Sequence, residues 1–463
     1  MNSHRATPSN PNSKRSLDAI TALYRAGRSA EALASCQQLL LLEPERADAL
    51  GLAGSLAMKL GDPVRAEAYY RAAIARDSRF MEAHFNLGNV LVRLGRPADA
   101  ISEFRRAIEL NPDLAAAQTA LGGALHALGE LGEAVQCFTH ALRLEPKTAH
   151  FHRNLAVALL AAGEPARALD HFRQAVALRP NWPKGLQSLA GAAMEMGAWD
   201  QALDACRAWL KCSPANVEAL GLASIALSEL GESAAAQQLM DLDRMVQVLE
   251  LRAPPPGFTT LSEFNAQLVR HALEHPSLHV APIEEDARTK ASRLAAIYNC
   301  PTLRVTGEYC SDSQPATRAL RGWVASAVNQ YLAHLARELP EHPFVAGAPK
   351  RFHLRSWAAI LDGEGSLEAH AHYASHVSAV YYPQVPAEMH GDSNAGCFQF
   401  GGGPARYPCR VEPAVRSIRP RAGMLLLFPS YFYHRTAPFS ASERRISIAF
   451  DAEPTADGAL PAP

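Results

Sequence analysis

A chain of 463 residues has room for two or more domains, and 45 basic against 46 acidic side chains leave it a formal net charge of −1. That balance gives no electrostatic reason to expect nucleic acid or an anionic membrane as a partner. Eight cysteines with no C-x-x-C pair among them argue against structural zinc and a disulfide framework, and for a reducing compartment.

Residues 1–12, rich in Ser, Asn and Pro, have nothing to bury and read as disordered. They lack the apolar core of a signal peptide, and no later apolar run is long enough to span a bilayer. The expectation is a soluble, cytoplasmic protein.

From about residue 13 a 34-residue period sets in. Its best copy, 81–114, carries Leu87, Gly88, Leu91, Gly95, Ala100, Phe104, Ala107 and Pro112. One period later stand Leu121, Gly122, Leu125, Gly129, Ala134, Phe138, Ala141 and Pro146. The next copy has Leu155, Ala156, Leu159, Gly163, Ala168, Phe172, Ala175 and Pro180. Weaker copies start near 13, 47, 183 and 217, marked by Gly27, Gly61, Gly197 and Gly231. Small residues let two antiparallel helices approach, large apolar ones fill between them, and the proline ends the second helix. The pattern resembles the tetratricopeptide repeat, in about seven copies over 13–250. That resemblance implies a solenoid whose concave groove seats a protein or extended peptide. The plainer alternative is an array that only docks on its own neighbouring domain or pairs two copies of the chain. The oligomeric state is not readable.

The period ends at RAPPPGF, residues 252–258, which reads as a boundary. Residues 251–300 are expected to be a Pro-rich linker with two bridging helices, near 261–275 and 287–298. After a strand-like 301–310 and an amphipathic helix over 317–340, the chain turns β-rich, with Gly and Pro between short strands. These features place a sandwich or barrel over 301–454 and leave 455–463 as a loose tail.

The chemistry gathers in the β-rich half. His370 and His372 lie two apart in a strand pattern and so share a face, while His434 closely follows the strand-and-break LLLFPS. Three imidazoles suit Fe, Zn, Cu or Ni, so ligand type alone selects no metal. Eleven residues beyond His434, Arg445 and Ser447 share a strand face. A guanidinium fork with a neighbouring hydroxyl can hold the distal carboxylate of a 2-oxoacid such as 2-oxoglutarate. Tyr382, on the face of Ser378, is placed to hydrogen-bond the same molecule or simply to pack the barrel. Arg444 points to the opposite face, and His376 and His390 read as loop or surface residues.

Residues 356–361 (SWAAIL), 370–382 (HAHYASHVSAVYY), 395–401 (AGCFQFG), 427–439 (LFPSYFYHRTAPF) and 444–451 (RRISIAFD) together resemble the 2-oxoglutarate/Fe(II)-dependent oxygenases. The likeness is to the bacterial group that joins a tetratricopeptide array to an oxygenase domain. It implies an α+β multidomain chain, an all-α repeat solenoid followed by a double-stranded β-helix (jelly roll). It also implies Fe(II), 2-oxoglutarate and O2 as cofactors, with His370 and His434 as iron ligands and Arg445 as the cosubstrate anchor. The wider superfamily has Asp or Glu where this chain has His372, so three completions stay open. His372 is a third ligand, water fills the position, or a carboxylate comes from Glu368 or Asp392. Tyr373 stands where the group often has Pro. The resemblance implies hydroxylation of a protein or peptide side chain presented by the repeats. Two alternatives are the same chemistry on a small molecule or glycan, and a non-catalytic adaptor with a degenerate barrel.

Overall fold

The computed structural model describes residues 11–280, 300, 302–311, 314–390, 393–401, 403, 407–411 and 414–455. It forms two compact units, Met1–Arg179 and Pro180–Pro463. Of the disorder expected over residues 1–12, residues 1–10 lie outside the described residues, as do the second bridging helix and the tail beyond 455, whereas Pro11 and Asn12 open a helix.

Among the described residues of the first unit, ten helices form five antiparallel pairs: α1 (Pro11–Arg25) with α2 (Ser29–Leu42), α3 (Ala47–Lys59) with α4 (Pro63–Arg76), α5 (Met81–Arg93) with α6 (Pro97–Leu110), α7 (Ala115–Ala127) with α8 (Leu131–Leu144), and α9 (Ala149–Ala161) with α10 (Pro165–Leu178). Each turn inside a pair hinges on a glycine at positive φ. Gly27, Gly61, Gly95, Gly129 and Gly163 lie between +77° and +83°, a conformation that costs a side-chain-bearing residue energy. At Gly95 the turn closes with Gly95 N donating to Val92 O and Arg96 N to Leu91 O, at 3.0 and 2.9 Å. Close approach within a pair is set by Gly88, where a Cβ would lie 2.4 Å from the Phe104 ring. Phe104 is fully buried and contributes about 1.5–3 kcal/mol by leaving water.

The second unit opens with two further pairs, α11 (Pro183–Glu195) with α12 (Trp199–Cys212) and α13 (Val217–Glu229) with α14 (Ser233–Leu239). Gly197 and Gly231 repeat the positive-φ turn. A short helix, α15 (Leu242–Met245), leads into β1 (Gln247–Glu250), followed by α16 (Leu261–Glu274), β2 (His279–Val280), β3 (Leu303–Val305), α17 (Pro315–Glu338) and α18 (Pro343–Ala346). Then come β4 (Phe352–Leu361), β5 (Glu364–His370), β6 (Val377–Gln384), β7 (Phe398–Phe400), β8 (Arg416–Ile418), β9 (Met424–Pro429), β10 (His434–Ser440) and β11 (Arg445–Pro454). One antiparallel sheet has the order β1-β9-β6-β11-β4-β3-β2, the other β5-β10-β7-β8. From β4 to β6 and from β8 to β11, consecutive strands alternate between the two sheets.

Alternation along the strands of the larger sheet separates its two faces. Ile446, Ile448 and Phe450 of β11, with Val377, Ala379 and Tyr381 of β6, share one hydrophobic cluster with Phe264 and Leu268 of α16 and Leu320, Val324 and Tyr331 of α17. Tyr381 Oη donates to Asn265 Oδ1 at 2.6 Å, tying α16 to β6. The opposite face of β11 carries Arg445, Ser447 and Asp451.

The domain bounds read from the sequence need two corrections. Residues 247–250, assigned there to the repeats, are a sheet strand, with Gln247 opposite Leu427 and Glu250 opposite Met424 on β9. The helix at 261–274, assigned to a linker, buries Phe264 and Leu268 against the sheet. Proline density marks a turn, but it does not reveal that the chain on either side pairs with one sheet.

Candidate active site

Two of the three histidines come from the smaller sheet. His434 opens β10 directly opposite His370, the last residue of β5. Their ring centroids are 4.3 Å apart. His372 is not on that strand: β5 ends at His370, and residues 371–376 cross to the other sheet. Shared strand parity is therefore not what brings His372 to the other two. Backbone pins do so: His372 N donates to Ser430 O at 2.8 Å, Ser430 N to His376 O at 3.1 Å, and His376 N to Ala452 O at 2.9 Å. The His372 ring lies 5.1 Å from each of the other two. One ligand nitrogen from each of the three lies within 4.8 Å of the others.

Each imidazole is oriented by its Nδ1. His370 Nδ1 bonds the Glu368 carbonyl at 2.8 Å, His434 Nδ1 the Phe432 carbonyl at 2.9 Å, and His372 Nδ1 the Asp451 carboxylate at 2.9 Å. All three partners only accept, so Nδ1 carries the hydrogen. In the neutral ring that leaves the lone pair on Nε2, the arrangement a metal requires. Burial, reinforced by His372, pushes the His370 pKa down to about 3. Burial and both neighbouring histidines hold His434 well below its ordinary value. Burial also opposes charge on His372, but the Asp451 carboxylate outweighs it and raises the pKa. Phe398 stacks on His434 with centroids 5.1 Å apart, and Phe428 meets it edge-on at 4.9 Å.

The larger sheet contributes a buried cation. Arg445 is 2% exposed. Its Nη2 donates to Tyr382 Oη at 3.4 Å, its Cζ lies 5.1 Å from the centre of that ring, and its Nε has no partner among the described residues. Burial lowers its pKa, with Tyr382 opposing. Burial in turn pushes the Tyr382 hydroxyl up to about 12 although Arg445 pulls it down. A buried guanidinium facing a phenol instead of a carboxylate is expensive unless an anion joins it. Ser447, buried on the same face, stands opposite Ala359 of β4.

The remaining sequence candidates fall differently. Glu368 is exposed and offers its backbone carbonyl, not its carboxylate, to the cluster. Asp392 and the side chain of His390 lie outside the described residues. His376, expected at the surface, is 3% exposed and stacks on Phe344 with centroids 4.0 Å apart. It is buried because the pinned crossing carries it beneath α18. Arg444 is half exposed, its Nε 2.6 Å from Asp362 Oδ1. The sequence reading passed over Asp451 as a functional residue, although it stands six beyond Arg445 and shares its parity on the strand.

Within this unit α13 reaches the same region. A Cβ on Gly221 would lie 3.4 Å from the Tyr373 ring and from the Tyr431 carbonyl, and the Tyr373 and Tyr433 hydroxyls are hydrogen-bonded to each other.

A helical-repeat array followed by two antiparallel sheets with a triple-histidine centre defines the class of protein. Residues 17–79, 85–138 and 127–183 match the tetratricopeptide repeat model, and residues 355–451 match the model described as "Putative 2OG-Fe(II) oxygenase". The chain thus joins a region matched by the tetratricopeptide repeat model to one matched by the putative 2OG-Fe(II) oxygenase model. Comparison with curated proteins returns no match. Similar solved structures include PilW, described as a widely conserved type IV pilus biogenesis factor (20% identity, 44% of this chain and 94% of that one, TM-score 0.41). YrrB, described as a TPR protein with an unusual peptide-binding site, is 22% identical over 37% of this chain and 89% of its own (TM-score 0.34). MamA from Desulfovibrio magneticus RS-1 is 20% identical over 37% and 97% (TM-score 0.35). No helix among the described residues is long and apolar enough to cross a membrane.

Proposed function

We propose that the β-rich half is a 2-oxoglutarate- and Fe(II)-dependent dioxygenase of jelly-roll type, and that it hydroxylates a protein or peptide side chain brought to it by the repeats. One observation carries the reading: a buried guanidinium with no carboxylate partner among the described residues accompanies three imidazoles whose Nδ1 atoms are all tied back. Structural zinc would explain the imidazoles but not Arg445.

With Fe(II) bound, the centre supplies oxidative decarboxylation: 2-oxoglutarate, O2 and a C–H bond become succinate, CO2 and C–OH. His370, His372 and His434 would hold the metal, their Nδ1 atoms being already engaged. Arg445 receives the distal carboxylate of 2-oxoglutarate with help from the Ser447 hydroxyl, and Tyr382 sets the angle of the guanidinium. Phe398 and Phe428 exclude water beside His434. The choice of a peptide substrate rests on α13, a helix of the last repeat, lying against Tyr373 one residue from His372. The last repeat, which belongs to the same unit as the histidines, would then border the reacting centre.

The test is anaerobic addition of Fe(II) and 2-oxoglutarate to the purified chain. A weak visible charge-transfer band and, on admitting air, succinate formation are expected. A well-folded protein that shows neither would leave the adaptor reading in its place.

A further inference from the structure

The three histidines are not equivalent in what stands behind them. His370 and His434 each give Nδ1–H to a backbone carbonyl, whereas His372 alone gives it to a carboxylate. Asp451 is 8% exposed, and its Oδ1 accepts from His372 Nδ1 at 2.9 Å and from Ser378 Oγ at 2.7 Å. Ser378 is its register partner on β6. On the other side, the partner on β4 is Arg355, which gives its guanidinium to Glu453 at 3.0 Å. The strand ladder therefore aims Asp451 at His372 and holds it there.

Non-haem Fe(II) oxygenases commonly hold the metal with two histidines and one carboxylate, so one ligand charge offsets the dication. Three neutral imidazoles offset none, in a site walled by buried residues. We propose that Asp451 is a positioning residue that restores this charge through His372, keeping the carboxylate one hydrogen bond behind the ligand instead of on the metal. Donation to Asp451 gives His372 partial imidazolate character, makes its Nε2 the strongest donor of the three, and fixes the ring that no strand holds. This reading rests on the oxygenase assignment, and its test separates the two.

The experiment is an anaerobic Co(II) titration of the full chain, followed by visible absorption, alongside thermal unfolding of the metal-free protein. Asp451→Asn keeps an acceptor for Nδ1–H but removes the charge. It should weaken Co(II) binding by about 10–100-fold with little change in the metal-free midpoint. Ser378→Ala, which leaves Asp451 in place but frees it to turn, should weaken binding by a smaller factor and serves if the Asn variant folds poorly. In a His372→Ala background, Asp451→Asn should have no further effect on affinity. Undiminished affinity in both Asp451→Asn and Ser378→Ala overturns the proposal, as does an equal loss with and without His372. Absence of Co(II) binding by the unmodified chain would overturn the oxygenase reading itself.

Discussion

His434 stands directly across the antiparallel ladder from His370, one ring from each of two hydrogen-bonded strands. A pair set by strand register is rigid, because slipping either strand by one residue would turn a ring to the outside. His434→Ala should therefore abolish the Fe(II)/2-oxoglutarate band and metal content together. Metal analysis after dialysis checks this, and an unchanged metal content would show that the histidines are not ligands.

Burial of Arg445 in the ligand-free protein carries a desolvation cost that Tyr382 offsets only in part, and a bound anion would offset more of it. Arg445→Met should raise the melting midpoint of that protein, by about 1–4 kcal/mol in stability, while removing the further rise produced by 2-oxoglutarate. Thermal scans with and without the cosubstrate measure both effects. A destabilised variant would mean that the guanidinium already has an adequate partner.

Acid stability has an assignable contributor in His376, whose pKa burial pushes down to about 4. The folded state keeps the ring neutral while the unfolded chain takes a proton near 6.5. Stability is thus unaffected above that value and lost as pH falls from 6.5 through 4, by about 2 kcal/mol at pH 5. His376→Phe should reduce the fall in melting midpoint between pH 7.5 and pH 5. An identical fall in both proteins would assign it elsewhere.

The close approach of α13 gives a steric prediction. Gly221→Ala places its Cβ 3.4 Å from the Tyr373 ring and should be tolerated. Gly221→Leu must displace Tyr373 and, through the chain, His372, and should lower Co(II) affinity. In the other unit Gly88→Ala would meet Phe104 at 2.4 Å and should cost about 1–3 kcal/mol on denaturant unfolding.

The repeats could be read from sequence nearly residue by residue, because each copy must satisfy the same contacts and so repeats the same letters. Gly95 recurs at Gly129 and Gly163 since each turn needs positive φ. His370 and His434 stood out because each marks the end of a short strand pattern, and those ends face each other across β5 and β10; Arg445 stood out on a strand of the other sheet. The route of His372 was not, because residues 371–376 have no periodicity and are held by backbone bonds to Ser430 and Ala452. Asp451 was missed for a related reason. Its role depends on lying beside Ser378, seventy-three positions away, and strand pairing over such a distance leaves no local pattern.

The pairing of Gln247–Glu250 with β9 also bears on where the polypeptide can be divided. The Pro-rich stretch after it invites a cut at 250, yet severing there would strip a lateral strand from one fragment and leave it as an orphan on the other. The β-rich half would then present the bare edge of β9 as a template for foreign chains. A separable β-rich half has to begin before Gln247, inside what the repeat period alone would have assigned to the array.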